Sequence, residues 1–216
     1  MDIDPYRLMA FFHVLLFCYW LGADLGVFIS SRVARRPGLS PDARAAVRNA
    51  GALIDMGPRT AMVLMLPAGL TLAAQYGSPV QGAALIAVWG LSFIWLWMVW
   101  KIFLAPHSAL GLAMWKIDMA LRMLFTIAFI GFGVYCLVTG GPVTDGWLIA
   151  KFIVFGLIIL DGFWLRILLY RTEAQARAAG GPVVLSDALR TMLTASVLAI
   201  WAGVAIAAFL GVVKPF

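Results

Sequence analysis

Six apolar runs, each near the length that crosses a bilayer, govern what this chain can fold into. A hydrocarbon core of about 30 Å takes roughly 20 helical residues. Runs of that order lie at 8–30, 59–75, 81–101, 119–138, 146–170 and 189–213. Hydrophobic residues make up 63% of the 216 positions and charged residues only 12%, against about a half and about a quarter in ordinary globular domains. So few charges cannot cover so much apolar surface in water. The sequence therefore predicts an all-α fold, a polytopic membrane bundle of six transmembrane helices in a single domain over 1–216. Soluble domains, secreted disulfide scaffolds and nucleic-acid readers are excluded, and lipid is the first partner. The net charge of +6 then reports topology, with no nucleic acid implied.

The loops set the orientation. Arg32, Arg35, Arg36, Arg44 and Arg48 lie between the first two runs. His107 and Lys116 lie between the third and fourth, with Lys101 and Arg122 at the edges. Arg171 and Arg177 lie between the fifth and sixth, flanked by Arg166 and Arg190. The opposite side offers only Arg7 and Lys214. Basic loops stay inside, which predicts a multi-pass protein of the bacterial inner membrane with both termini on the non-cytoplasmic side. The opening Met-Asp-Ile-Asp-Pro is acidic, unlike a cleavable signal.

Local chemistry marks several boundaries. Ser40-Pro41-Asp42 reads as the start of a capped helix between the first two runs, and Ser186-Asp187 as the cap of the last helix. Thr139-Gly140-Gly141-Pro142 and Gly180-Gly181-Pro182 read as turns. Pro67 predicts re-paired backbone groups in the second run. A weak duplication is visible, since Arg59 opens a run that reaches Gly69 and Arg122 opens one that reaches Gly131 and Gly133.

Ionisable groups at membrane depth are costly, by ~2.5–3.5 kcal/mol on insertion scales, and face a bundle interior or cavity. Four stand out: His13, Lys151, Asp24 and Asp161. With the predicted topology, His13 and Lys151 fall within roughly 8 Å of the outer edges of helices one and five, which points to a shared outer layer. Asp24 and Asp161 fall about ten residues deeper, near Arg59, Arg122 and Arg166, where structural ion pairs are expected. Trp20 lies seven residues after His13 on the same helix face, placed to flank a planar ligand or to pack. Trp89, Trp95, Trp97 and Trp100 read as an interfacial belt. Met62/Met65 and Met119/Met123 read as core, although thioethers also suit Cu(I). Gly131-Phe132-Gly133 reads as a close-packing site. Cys18 and Cys136 read as small hydrophobes.

From Arg122 onward the chain resembles the copper resistance protein D family, in an arginine opening a helix, a later glycine, and a Gly-x-Leu-x-x-Lys helix ending in arginine. Those positions are Arg122, Gly133, Gly146, Leu148, Lys151, Arg166 and, after the last helix, Pro215. The chain is also similar to the small membrane-bound protoporphyrinogen oxidase family. That resemblance rests on His13, Trp20-Leu21-Gly22, Arg59 with Pro67-Ala68, and Trp147-Leu148-Ile149-Ala150-Lys151, with Ile149 standing where that family tends to carry histidine.

The resemblance to the oxidases implies a haem- or porphyrin-binding redox protein, engaged in protoporphyrinogen oxidation or in electron transfer through a haem b held near the outer face. An imidazole ligates iron, so His13 is the expected metal ligand. Lys151, Arg59 and Arg122 are expected to pair with tetrapyrrole carboxylates, with Trp20 beside the ring. The alternatives are transport of copper or another cation, and a non-catalytic accessory subunit of a larger membrane complex or homo-oligomer. A cation path is disfavoured by Lys151, whose charge repels it. No P-loop, metalloprotease or Ser/His/Asp pattern is present.

Overall fold

The computed structural model describes residues 4–106, 108–178, 180 and 185–216. His107, the turn at Gly181-Pro182, the first three residues of the acidic opening and the side chain of Arg177 lie outside the described residues. The helices are α1 (Pro5–Val33), α2 (Pro41–Ile54), α3 (Met56–Ala73), α4 (Gly82–Leu104), α5 (Ala109–Thr139), α6 (Gly146–Ala178) and α7 (Asp187–Val213), with one 3₁₀ turn at Ala74–Tyr76. Among the described residues there is no strand. The chain divides into two compact units, Met1–Trp115 and Lys116–Phe216.

Capping residues act where their chemistry predicts. The Ser40 hydroxyl accepts from the Ala43 N–H at 3.2 Å and Ser186 from Leu189 at 3.2 Å, each satisfying a donor that the first turn leaves orphaned. Gly140 stops α5 with a positive φ of 65° while its N–H donates to the Cys136 carbonyl, the left-handed ending that glycine adopts without a Cβ penalty.

Five helices are long and apolar enough to cross a membrane: α1, α4, α5, α6 and α7. Large apolar side chains stand exposed on every one of them, including Phe11, Ile94, Ile127, Leu157 and Ile206. A soluble monomer rarely exposes contiguous apolar patches on this scale, so hydrocarbon is the surround that fits. The sixth expected span differs. α3 has 18 residues and is the most buried helix of its unit, with Met56, Ala61, Val63, Leu66 and Ala68 all inaccessible or nearly so. It packs on both α1 and α4. Encased by protein, it needs no continuous lipid-facing surface.

In the first unit, α1 runs antiparallel to α2 and α3 together. Small residues let the backbones approach. A Cβ at Gly57 would stand 2.9 Å from the Ala23 Cβ, and one at Gly51 3.1 Å from the Ser30 Cβ. α3 and α4 are tied by two matching rungs. The Trp89 indole N–H donates to the Thr71 hydroxyl at 3.1 Å, and that of Trp100 donates to Thr60 at 3.2 Å. Threonines and tryptophans are each eleven residues apart, about three turns, so both rungs fit one antiparallel register. Thr71 in turn donates to the Pro67 carbonyl at 2.7 Å. Of the four tryptophans expected as a belt, Trp95 is core, Trp89 and Trp100 hydrogen-bond to α3, and Trp97 is the most exposed at 53%.

In the second unit, α6 lies antiparallel to both α5 and α7. Phe129 stacks on Phe152 with centroids 5.8 Å apart, and Phe132 meets Phe152 edge-on. Of the two glycines expected to pack, one does so. A Cβ at Gly133 would lie 2.6 Å from Ile153 Cγ1 and 3.3 Å from the Ile149 carbonyl oxygen, whereas one at Gly131 meets nothing within 4 Å. Opposite signs are therefore expected on substitution. Gly131→Ala gains helix propensity of up to about 1 kcal/mol, and Gly133→Ala loses about 1–3 kcal/mol to overpacking. Thermal unfolding of the two variants in detergent checks this, and equal shifts would show that Gly133 is not a contact point.

Candidate functional site

His13 stands on α1 about 12 Å from its first residue, at ~1.5 Å per residue, because α1 starts at Pro5, before the apolar run begins. Its imidazole lies over Gly69 of α3. A Cβ at Gly69 would sit 3.4 Å from His13 Cε1, so the glycine leaves the recess that the ring fills. The Nδ1 atom is buried. Nearer the start of α1, the Tyr6 and Tyr76 hydroxyls approach to 3.5 Å. Trp20 is 5% exposed, a packed side chain and not the wall of an open slot.

Lys151 lies five residues into α6, and its ammonium nitrogen presses against Gly211 of α7, in the volume a Cβ there would occupy. Among the described residues no carboxylate pairs with it. Lys214 lies within Coulombic range, and its own ammonium sits 5.1 Å from the centre of the Trp147 ring. The Phe216 carbonyl accepts from the Trp147 N–H at 3.1 Å, closing this end of the α6–α7 pair. His13 belongs to the first unit and Lys151 to the second.

At the opposite end of each unit stands an arginine with an aspartate one turn before it. The pairs are Asp55–Arg59 and Asp118–Arg122, each inside an Asp-Met-x-x-Arg motif. The first is partly exposed on both partners. The second is sealed, with Asp118 0% and Arg122 3% exposed. Arg122 Nε donates to Asp118 Oδ2 at 3.1 Å, and Arg166 Nη1 donates to the same oxygen at 2.5 Å. Both arginines expected to meet tetrapyrrole carboxylates are thus held by aspartates four residues before them in sequence.

The expected ion pairs are only partly placed. Among the described residues the carboxylate that Arg166 reaches is Asp118, because α5 begins ten residues before its apolar run and carries that side chain into the packed region. The Oδ2 atom of Asp161 is buried and has no hydrogen-bond partner among the described residues. Asp24 is half-buried on α1. Asp118 escaped the sequence reading because it stands one residue outside the run at 119–138. The signal that finds it is the four-residue spacing to Arg122, repeated at Asp55 and Arg59.

Among the described residues no three His, Cys, Asp or Glu side chains gather as a metal cluster. Met62, Met65 and Met119 are buried core. Compared with known proteins, the chain matches no family model, no curated protein and no solved structure. The reading of function therefore stands on the residues themselves.

Proposed function

We propose that this chain is a multi-pass protein of the bacterial inner membrane, with both termini outside, that binds a haem-type tetrapyrrole for redox work. The observation that supports it is His13, a single imidazole on a long apolar helix, seated over Gly69 with Nδ1 turned into the protein. The donor set fits the group: one neutral imidazole suffices as an axial ligand to haem iron, whereas a bare metal ion needs several convergent ligands. A bound haem supplies one-electron chemistry. His13 would hold the iron of such a group, and Gly69 leaves the imidazole its room. The resemblance to the protoporphyrinogen oxidases names the reaction class, oxidation of protoporphyrinogen or electron transfer.

Titration of the detergent-purified full chain with haem tests the reading. A Soret band is expected to grow with haem. Absence of any Soret band on titration ends the haem reading.

A further inference from the structure

Two close contacts fix the register of the antiparallel α1–α2 hairpin. A Cβ at Gly51 would stand 3.1 Å from the Ser30 Cβ, and one at Gly26 would stand 3.1 Å from Ile54 Cγ2. Both helices rise ~1.5 Å per residue, so this register brings Arg48 of α2 level with Arg32 of α1. It also brings Leu53 near the height of Ile29. Both of those apolar side chains are exposed, and no large apolar side chain between them in sequence is. Apolar surface thus ends at one height on the two helices. About a turn further out, each carries an exposed arginine.

Positive charge dominates this end of the hairpin. Residues 25–54 hold Arg32, Arg35, Arg36, Arg44 and Arg48 against one acid, Asp42. Among the described residues none of the five arginines forms an ion pair. Arg44 serves the fold: its guanidinium donates to the Ala34 carbonyl at 2.6 Å and to that of Arg36 at 3.4 Å, satisfying acceptors that the end of α1 leaves orphaned. Arg35 reaches the Ser31 hydroxyl at 3.3 Å. The Arg32 guanidinium lies over the Phe28 ring, 5.5 Å from its centre, with its stem along apolar surface. Guanidinium forks match phosphate oxygens in shape as well as charge.

We propose that this end of the α1–α2 hairpin docks on the headgroups of anionic phospholipid, with Arg32 and Arg48 as the pair that meets the phosphates. Arg35 and Arg36 add charge beyond them. The topology proposed above puts this end at the cytoplasmic leaflet, whose anionic lipids attract basic segments beside a span. Ile29 and Leu53 mark the hydrocarbon boundary, and a guanidinium about one turn outward stands at headgroup height. The surface lies within the unit Met1–Trp115 and does not involve His13, so its failure leaves the haem spectrum unchanged.

The test is thermal unfolding of the detergent-purified full chain titrated in mixed micelles with phosphatidylglycerol or with phosphatidylcholine. A lipid that binds the folded chain raises its unfolding temperature. The wild type is expected to respond to phosphatidylglycerol at lower concentration than to phosphatidylcholine. That preference is expected to fall as salt is raised to about 1 M, where the Debye length is about 3 Å. Arg32→Gln/Arg48→Gln is expected to weaken the phosphatidylglycerol response by roughly tenfold or more, at about fivefold for each arginine near a lipid surface. Arg48→Gln alone is expected to weaken it about fivefold, which preserves the test should the double variant fold poorly. Arg7→Gln, at the opposite end of α1, is the control with no expected change. Equal responses of the wild type to the two lipids overturn the proposal, as does an unchanged response in the arginine variants. A loss at Arg7→Gln as large as in the double variant, or equal stabilisation by inorganic phosphate without lipid, overturns it too.

Discussion

Asp118→Ala is expected to lower the unfolding free energy by about 3–5 kcal/mol, the scale for removing one partner of a buried ion pair. The cause is what remains behind. Arg122 and Arg166 would face each other in a sealed site with the oxygen they share deleted. The matching variant in the first unit, Asp55→Ala, breaks a pair that is about a third exposed and is expected to cost less than about 1 kcal/mol. The double variant Asp118→Leu/Arg166→Leu removes opposite charges together and is expected to recover part of the loss. Denaturant or thermal unfolding in one detergent measures all three. Similar small costs at Asp118 and Asp55 would mean that the buried cluster contributes no more than a surface pair.

The second large effect is expected at His13. Replacing it by alanine removes the only imidazole among the described residues and is expected to abolish haem binding in titration, since histidine is the side chain that holds the iron. Gly69→Leu approaches the same point from the other helix. Its Cβ would already lie 3.4 Å from His13 Cε1, and the further carbons of leucine must displace the ring. Gly22→Leu, where a Cβ meets nothing within 4 Å, is the matched control with no expected effect. Retained haem affinity in both His13→Ala and Gly69→Leu would remove the imidazole from the proposed function.

Much of the helical frame was readable because its causes are local or compositional. Apolar length places α1, α4, α5, α6 and α7, and the caps at Ser40 and Ser186 follow from hydroxyls ahead of helical runs. Apolarity does not mark where a helix ends. α5 begins at Ala109 and α6 continues to Ala178, each beyond its apolar run, so the run at 119–138 leaves out Asp118, the most enclosed carboxylate described. Burial direction was equally invisible. Trp89 and Trp100 have the composition of an interfacial belt, and only the register against Thr71 and Thr60 makes them crosslinks. Gly131 and Gly133 differ by two residues, hence by just over a half-turn, and only the packed structure shows which faces Ile153. His13 and Lys151 were identifiable from their cost in an apolar run. That each fills a recess at a glycine of a neighbouring helix was not, because the partner helix must first be known.

The most direct measurement is a reduced-minus-oxidised absorption spectrum of the full chain purified from the membranes that express it, with His13→Ala prepared in parallel. The account predicts a Soret band and reduced α-band in the wild type and their loss in the variant. A featureless visible spectrum in the wild type, or an identical haem spectrum in the variant, contradicts it.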